Sequence, residues 1–178
     1  MTRYVALFRG INVGGHNKLP MRELKELLAG LGLQDVATYI QSGNVVFESE
    51  EADKAVLSER ICTAVSQSHG FAPQVLLLMA EEFTQAAAAN PYPEAEEEPK
   101  TLHLYFLEGV PPEPDMEKLE ALKGDTENFR LIDKVFYLHA PDGIGRSKLA
   151  ARVEKALGVA VTARNWRSVS KIMEMAKR

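Results

Sequence analysis

Two tandem β-α-β-β-α-β units followed by a C-terminal helix, an α+β fold, are predicted for this 178-residue chain by three features. β-rich runs alternate with amphipathic stretches in the same order twice over. Clusters containing Gly, Asn or Asp punctuate them where turns are needed. A segment rich in proline and glutamate, residues 91–100, stands between the two series. The order is that of the ferredoxin-like arrangement, duplicated as a pattern rather than as residue identities. The expected organisation is a first unit with a short extra helix over residues 1–90, an acidic linker over 91–100, and a second unit with the terminal helix over 101–178.

In the first unit, Tyr4–Phe8 is a strand-like apolar run, followed by the glycine-rich loop from Gly10 to Lys18. Pro20 suits the first turn of a helix, where its missing N–H costs nothing. Met21, Leu24, Leu27 and Leu28 give that helix its apolar stripe, and Gly30 and Gly32 end it. Val36–Ile40 and Val45–Phe47 flank the turn Gln41-Ser42-Gly43-Asn44 as a hairpin. Glu50, Glu51 and Asp53 complement the positive start of the next helix, which is expected to bury Val56, Leu57, Ile61, Ala64 and Val65 and to stop at Gly70. Gln74–Met79 is the fourth strand, and Glu81–Ala89 a short helix halted by Asn90-Pro91.

The second series begins with Thr101–Leu107. Asp115 caps a helix with Met116, Leu119 and Leu122 inside. Phe129–Ile132 and Val135–Leu138 form a hairpin around Asp133-Lys134, and Ser147 is placed to cap a helix packing through Leu149, Val153 and Leu157. A short strand over Val159–Thr162 and a helix capped by Asn165 complete the chain, the helix burying Trp166, Val169, Ile172, Met173 and Ala176.

Composition bounds the function classes. One cysteine, Cys62, excludes a disulfide framework and any multi-cysteine metal centre. Nothing approaches the ~18 consecutive apolar residues of a membrane span, and the N-terminus reads as a strand rather than a signal peptide. A cytoplasmic protein without metal or cofactor is expected. The net charge of −4 hides an uneven distribution: +3 over residues 1–30, −13 over 31–140 and +6 over 141–178. Basic ends on an acidic chain direct attention to anionic partners.

Topology then brings distant loops together. In a β-α-β-β-α-β unit, the loop after the first strand and the turn between the second and third lie at one end of the sheet. The loop after the third strand and the exit of the fourth lie at the other. The first unit therefore gathers Arg9, Asn12, Asn17 and Lys18 with Gln41, Ser42 and Asn44, and the second gathers Gly145, Arg146, Ser147 and Lys148 with Arg164 and Asn165. Backbone N–H groups at a helix start and forked guanidinium groups are suited to phosphate or carboxylate oxygens. These thirteen residues are the expected anion-binding set, for a phosphorylated small molecule, a nucleotide or RNA.

Neither glycine loop is a phosphate-binding P-loop or a dinucleotide fingerprint: His16 stands where the P-loop lysine would be. Catalytic residues are not identifiable. Should the basic groups serve an enzyme acting on a phosphate- or carboxylate-bearing metabolite, His16, His139 or Asp142 could move the proton. A protein whose loops are ordered by another subunit is the third reading. Cys62 and Trp166 read as core, and His103 as sheet surface. Tyr4, Tyr39, Tyr105 and Tyr137 are the available stacking groups.

Four blocks carry a resemblance: Arg9-Gly-Ile-Asn-Val-Gly-Gly-His-Asn17, Tyr39-Ile-Gln-Ser-Gly-Asn-Val45, Gly143-Ile-Gly-Arg-Ser-Lys-Leu149 and Thr162-Ala-Arg-Asn-Trp166. In this order they resemble the bacterial family known as domain of unknown function 1697. The resemblance implies a cytoplasmic bacterial protein of α+β, ferredoxin-like fold, with no activity or catalytic residues to transfer.

Overall fold

The computed structural model describes residues Met1–Arg178. Eight strands form two four-stranded antiparallel sheets. The first comprises β1 (Thr2–Arg9), β2 (Gln34–Tyr39), β3 (Asn44–Ser49) and β4 (Gln74–Met79) in the order β2-β3-β1-β4. The second comprises β5 (Leu102–Leu107), β6 (Asn128–Ile132), β7 (Val135–His139) and β8 (Val161–Asn165) in the order β6-β7-β5-β8. Each repeats the same connectivity, with its first strand central and its fourth at an edge, so the fold is α+β with tandem ferredoxin-like units. The chain divides into two compact units, Met1–Ala88 with Ser170–Arg178, and Ala89–Val169.

In the first unit, α1 (Met21–Gly30) and α2 (Lys54–His69) follow β1 and β3. Alternation along β1 sends Tyr4, Ala6 and Phe8 to the face under the helices, where they join Leu24 and Leu28 of α1 and Leu57, Ile61 and Val65 of α2. Each of the leucine, isoleucine, valine and phenylalanine side chains among them contributes about 1.5–3 kcal/mol by leaving water. Asp53 caps α2 through its carboxylate, which accepts from the Ala55 and Val56 N–H groups at 2.8 and 3.3 Å. Val56 is exposed, contrary to the sequence reading, because it lies in that capping turn and faces away from the stripe through Leu57. Val5 and Leu7, on the other face of β1, are equally buried, and α3 (Ala80–Ala88) lies against β1 with Phe83 wholly buried.

The second unit has α4 (Met116–Leu122) after β5, capped by Asp115, whose carboxylate accepts from the Lys118 N–H at 3.0 Å. Tyr105 and Leu107 of β5, Phe136 and Leu138 of β7, Leu119, Leu149, Val153 and Leu157 form its core. The single long helix expected after Ser147 is broken: a 3₁₀ turn over Ala150–Arg152 precedes α5, only Val153–Leu157. Residues 91–100, expected as a solvated linker, also fold. Asn90 holds the Tyr92 N–H on its side-chain oxygen at 3.0 Å, Pro93–Glu97 is a 3₁₀ turn, and Ala95 is buried.

The last strand is displaced from the expected Val159–Thr162 to Val161–Asn165, since it pairs with β5 from Leu107↔Val161 through His103↔Asn165. Its first N–H donates to Glu154 Oε2 at 3.1 Å. Asn165 then caps α6 (Trp166–Ala176) by accepting from the Ser168 N–H at 3.1 Å. Trp166, Val169 and Ile172 are buried on that helix, as their spacing predicts, while Met173 and Ala176 are half-buried. No helix is long and apolar enough to cross a membrane.

Candidate functional site

The predicted convergence in the first unit is present. Asn12 Nδ2 donates to both Leu19 O and Gln41 O at 2.8 Å, while its Oδ1 accepts from the Leu19 N–H at 2.7 Å. One amide thus closes the loop and ties it to the hairpin turn. Asn17 Nδ2 donates to Gly10 O at 3.0 Å, and Val13 and His16 pair across the loop tip. Asn44, fully buried, donates to Tyr39 O and Ser42 Oγ at 3.0 and 3.1 Å. The Phe8 N–H donates to Gly43 O at 2.8 Å, and Gly43 sits so close that a Cβ there would lie 2.5 Å from Phe8 Cβ.

This settles what most of the predicted first-unit residues do locally. Asn12 and Asn17 adopt left-handed backbone with φ of 54° and 51°, a conformation asparagine tolerates, and their amides shape the loop. Asn44 and Ser42 organise the turn. Arg9, the last residue of β1, lies opposite Gln74, is half-buried and is not free. Lys18 and Gln41 remain exposed. Two apolar side chains protrude at the same end: Val13 (65% exposed) and Ile40 (49% exposed), the latter with φ at +50°. Ile40 was expected within the second strand; it instead begins the turn.

Register shows the second convergence. His139 ends β7 opposite Leu102, and Asn165 ends β8 opposite His103, so both exits flank the start of β5. The Ala140 N–H donates to Thr101 O at 2.8 Å and the Trp166 N–H to Pro99 O at 3.2 Å. Between β7 and α5 lies the loop carrying Gly145, Arg146, Ser147 and Lys148. Ser147 Oγ accepts from the Ala150 N–H at 3.0 Å, a cap on the 3₁₀ turn. So short an element has little aligned dipole, and the predicted contribution of a helix start is replaced by that of side chains.

Those side chains are all cationic. Arg146, Lys148, Arg152 and Lys155 are exposed and none is in an ion pair. Glu154, the acid among them, is half-buried and accepts the Val161 N–H at 3.1 Å. The sequence alone gives no reason to join Arg152 and Lys155 to the loop, because it predicts an unbroken helix there. Arg164 departs from expectation in the opposite direction. It lies inside β8, is 9% exposed, donates through Nη1 to Ala163 O at 2.9 Å, and burial pulls its pKa down to about 10. It stays charged at neutral pH but is withdrawn from the surface. Asn165 is spent on its cap.

The residues considered as proton carriers are otherwise engaged or dispersed. Asp142 Oδ2 accepts from Thr126 Oγ1 at 2.7 Å. The His139 ring lies 6.1 Å from that of Tyr92. His16 is exposed on the first unit's loop tip. His103, expected on the sheet surface, is 8% exposed, and its Nδ1 is buried without a hydrogen-bond partner. Of the four tyrosines named as stackers, Tyr4, Tyr105 and Tyr137 are buried; burial above all pushes the last two up to about 12. A cavity of about 240 Å³ in the first unit, lined by Met1, Leu33, Gln34, Glu50 and Arg60 among others, contains none of the predicted residues. No group of His, Cys, Asp and Glu is arranged to hold a metal ion.

Comparison with known proteins agrees with the resemblance. The conserved bacterial protein SP0830 from Streptococcus pneumoniae has a similar structure, with a TM-score of 0.74, 28% identity, and coverage of 98% of each chain. No curated protein matches this chain. The family described as "Protein of unknown function (DUF1697)" matches residues 1–137, which include the first two of the four sequence blocks and stop short of the cationic loop. By that match, over most of its length, the chain belongs to the DUF1697 family.

Proposed function

We propose that the second unit binds phosphate-bearing ligands along Gly143–Lys155. The observation that carries this reading is the set of four exposed cations within ten residues, Arg146, Lys148, Arg152 and Lys155, whose neighbouring acid is turned back onto β8. Unpaired cations crowded within ten residues repel one another, and an oxyanion relieves that repulsion. Arg146 and Arg152 supply forked donors, and Lys148 and Lys155 supply point charges. The glycines at 143 and 145 leave the backbone open to close approach, with nothing within 4 Å of the position a Cβ would take. The first unit's loop, its amides consumed internally, serves this reading as a rigid end rather than as the anion site. The same reading keeps the protein in the reducing cytoplasm, with Cys62 as a packed thiol.

Titration of the ¹⁵N-labelled protein with inorganic tripolyphosphate tests it. Amide shifts confined to residues 143–155, lost when Arg146, Lys148, Arg152 and Lys155 are all replaced by Ala, are the expected result. Shifts that map elsewhere, or that persist in the quadruple variant, overturn it.

A further inference from the structure

The strand that leads into the cationic loop ends in an aromatic pair that the sequence does not reveal. Tyr92 and His139 are both half-buried, with ring centroids 6.1 Å apart and planes inclined by 33°. They are 47 positions apart in the chain and meet because residues 91–100 fold back instead of extending. The Tyr92 backbone is fixed on both sides by one amide: Asn90 Oδ1 accepts the Tyr92 N–H at 3.0 Å and Asn90 Nδ2 donates to Tyr92 O at 3.1 Å. The backbone that carries the ring is therefore held in place before any ligand arrives.

Sheet register identifies the rest of this surface. Phe129, Leu131, Phe136 and Leu138 point to the helix-covered core. Their neighbours Asn128, Arg130, Tyr137 and His139 consequently share the opposite face, with Asn128 opposite His139 and Arg130 opposite Tyr137. Asn128 and Arg130 are exposed, and Arg130 and, with opposite sign, Glu94 are close enough for their charges to act on the Tyr92 hydroxyl. An aromatic face, a guanidinium and a carboxamide thus stand together at the edge of the sheet. From His139 the chain passes through Ala140 directly into the loop that carries Arg146 and Lys148.

We infer that Tyr92 and His139 form a stacking platform for an unpaired nucleobase, and that the ligand of the second unit is single-stranded nucleic acid. The inference rests on the phosphate-binding reading of Gly143–Lys155 and names its ligand. Base stacking on aromatic side chains is tolerant of sequence and needs a base free of its own stack, which a duplex does not offer. Asn128 supplies both a donor and an acceptor for a base edge. Charge sets the direction of the strand. Glu94, Glu97 and Glu98, which follow Tyr92 in the chain, are exposed, so the phosphates run away from them toward Arg146 and Lys148.

Fluorescence anisotropy with a labelled twelve-nucleotide oligouridine, and with an abasic oligomer of the same length and charge, tests the inference. Tyr92→Leu keeps the bulk of the side chain and both backbone bonds to Asn90. It is expected to weaken oligouridine binding roughly ten-fold while leaving the salt dependence unchanged. The abasic oligomer is expected to bind roughly ten-fold more weakly than oligouridine to the unaltered protein and equally to Tyr92→Leu. Arg146→Ala with Lys148→Ala should instead flatten the log–log salt dependence by about 1.4. Equal affinity of the unaltered protein for both oligomers overturns the platform whatever the variants do; the phosphate reading then stands if the double variant flattens the slope. Absence of oligouridine binding, with the tripolyphosphate shifts retained, overturns the nucleic-acid inference alone.

Discussion

Asn12 and Gln41, 29 positions apart, are joined by a 2.8 Å hydrogen bond from a side-chain amide to a backbone carbonyl. The same amide closes its own loop onto Leu19 in both directions. This residue therefore ties together two segments that topology alone only brings near. Replacing Asn12 by Ala removes all three bonds and leaves a Cβ-bearing residue without local compensation at φ 54°. A loss of about 2–4 kcal/mol is expected in urea unfolding. Asn12→Gly, which relieves the backbone but not the bonds, should lose less; an equal loss in both would place the whole effect in the hydrogen bonds.

Gly43 is the other fixed point of that end. A Cβ there would meet Phe8 Cβ at 2.5 Å and Ile11 Cδ1 at 2.7 Å, and the residue has φ +83°. Gly43→Ala combines overpacking with backbone strain and is expected to cost about 2–4 kcal/mol. Chemical denaturation reads this directly, and a change below 0.5 kcal/mol would show that the turn moves away from Phe8.

Ile40 offers the converse experiment. A β-branched residue at φ +50° with half of its surface in water bears strain with little burial to offset it. Ile40→Asn should stabilise the protein by about 0.5–1 kcal/mol, seen as a rise in Tm. A fall in Tm would mean that the side chain holds a contact stronger than the strain.

His103 predicts a pH dependence. Burial pulls its pKa from 6.5 down to about 4. Between those values the unfolded chain binds the proton and the folded chain does not, so stability rises with pH through this window. The contribution is complete above pH 6.5 and is lost as the pH falls toward 4, by at most about 1.4 kcal/mol per pH unit. His103→Leu also removes the unpartnered buried nitrogen, so it should flatten that part of the stability profile without a large penalty at pH 7. Parallel profiles for both proteins between pH 6.5 and 4 would refute the assignment.

The architecture was legible because local signals and tertiary demands agree. Asp53, Asp115 and Asn165 each cap the helix that their position in the sequence suggests. The stripes through Leu24 and Leu28 and through Leu57, Ile61 and Val65 are buried. Convergence of the first-unit loops followed from topology. What the sequence concealed depends on contacts between residues distant in the chain. Arg164 reads as a loop residue only until β5 is known to pair as far as Asn165. Tyr92 reads as part of a linker because proline and glutamate dominate its neighbours, whereas the fold is decided there by Asn90 and the burial of Ala95. Arg152 and Lys155 join Arg146 only once the helix after Ser147 is known to be broken.

Asn165 ends β8 and caps α6 in the same residue, which leaves no slack between them. The sheet's hydrogen-bond ladder fixes where Asn165 lies, so any added residue must be absorbed by the helix. One insertion after Asn165 would turn α6 by about 100° and advance it by about 1.5 Å, carrying the seats of Val169 and Ile172 out of phase with the surfaces that cover them. Natural variation in length should therefore be excluded from this junction and confined to the loops, and the junction is the wrong place to cut or extend the chain when engineering it.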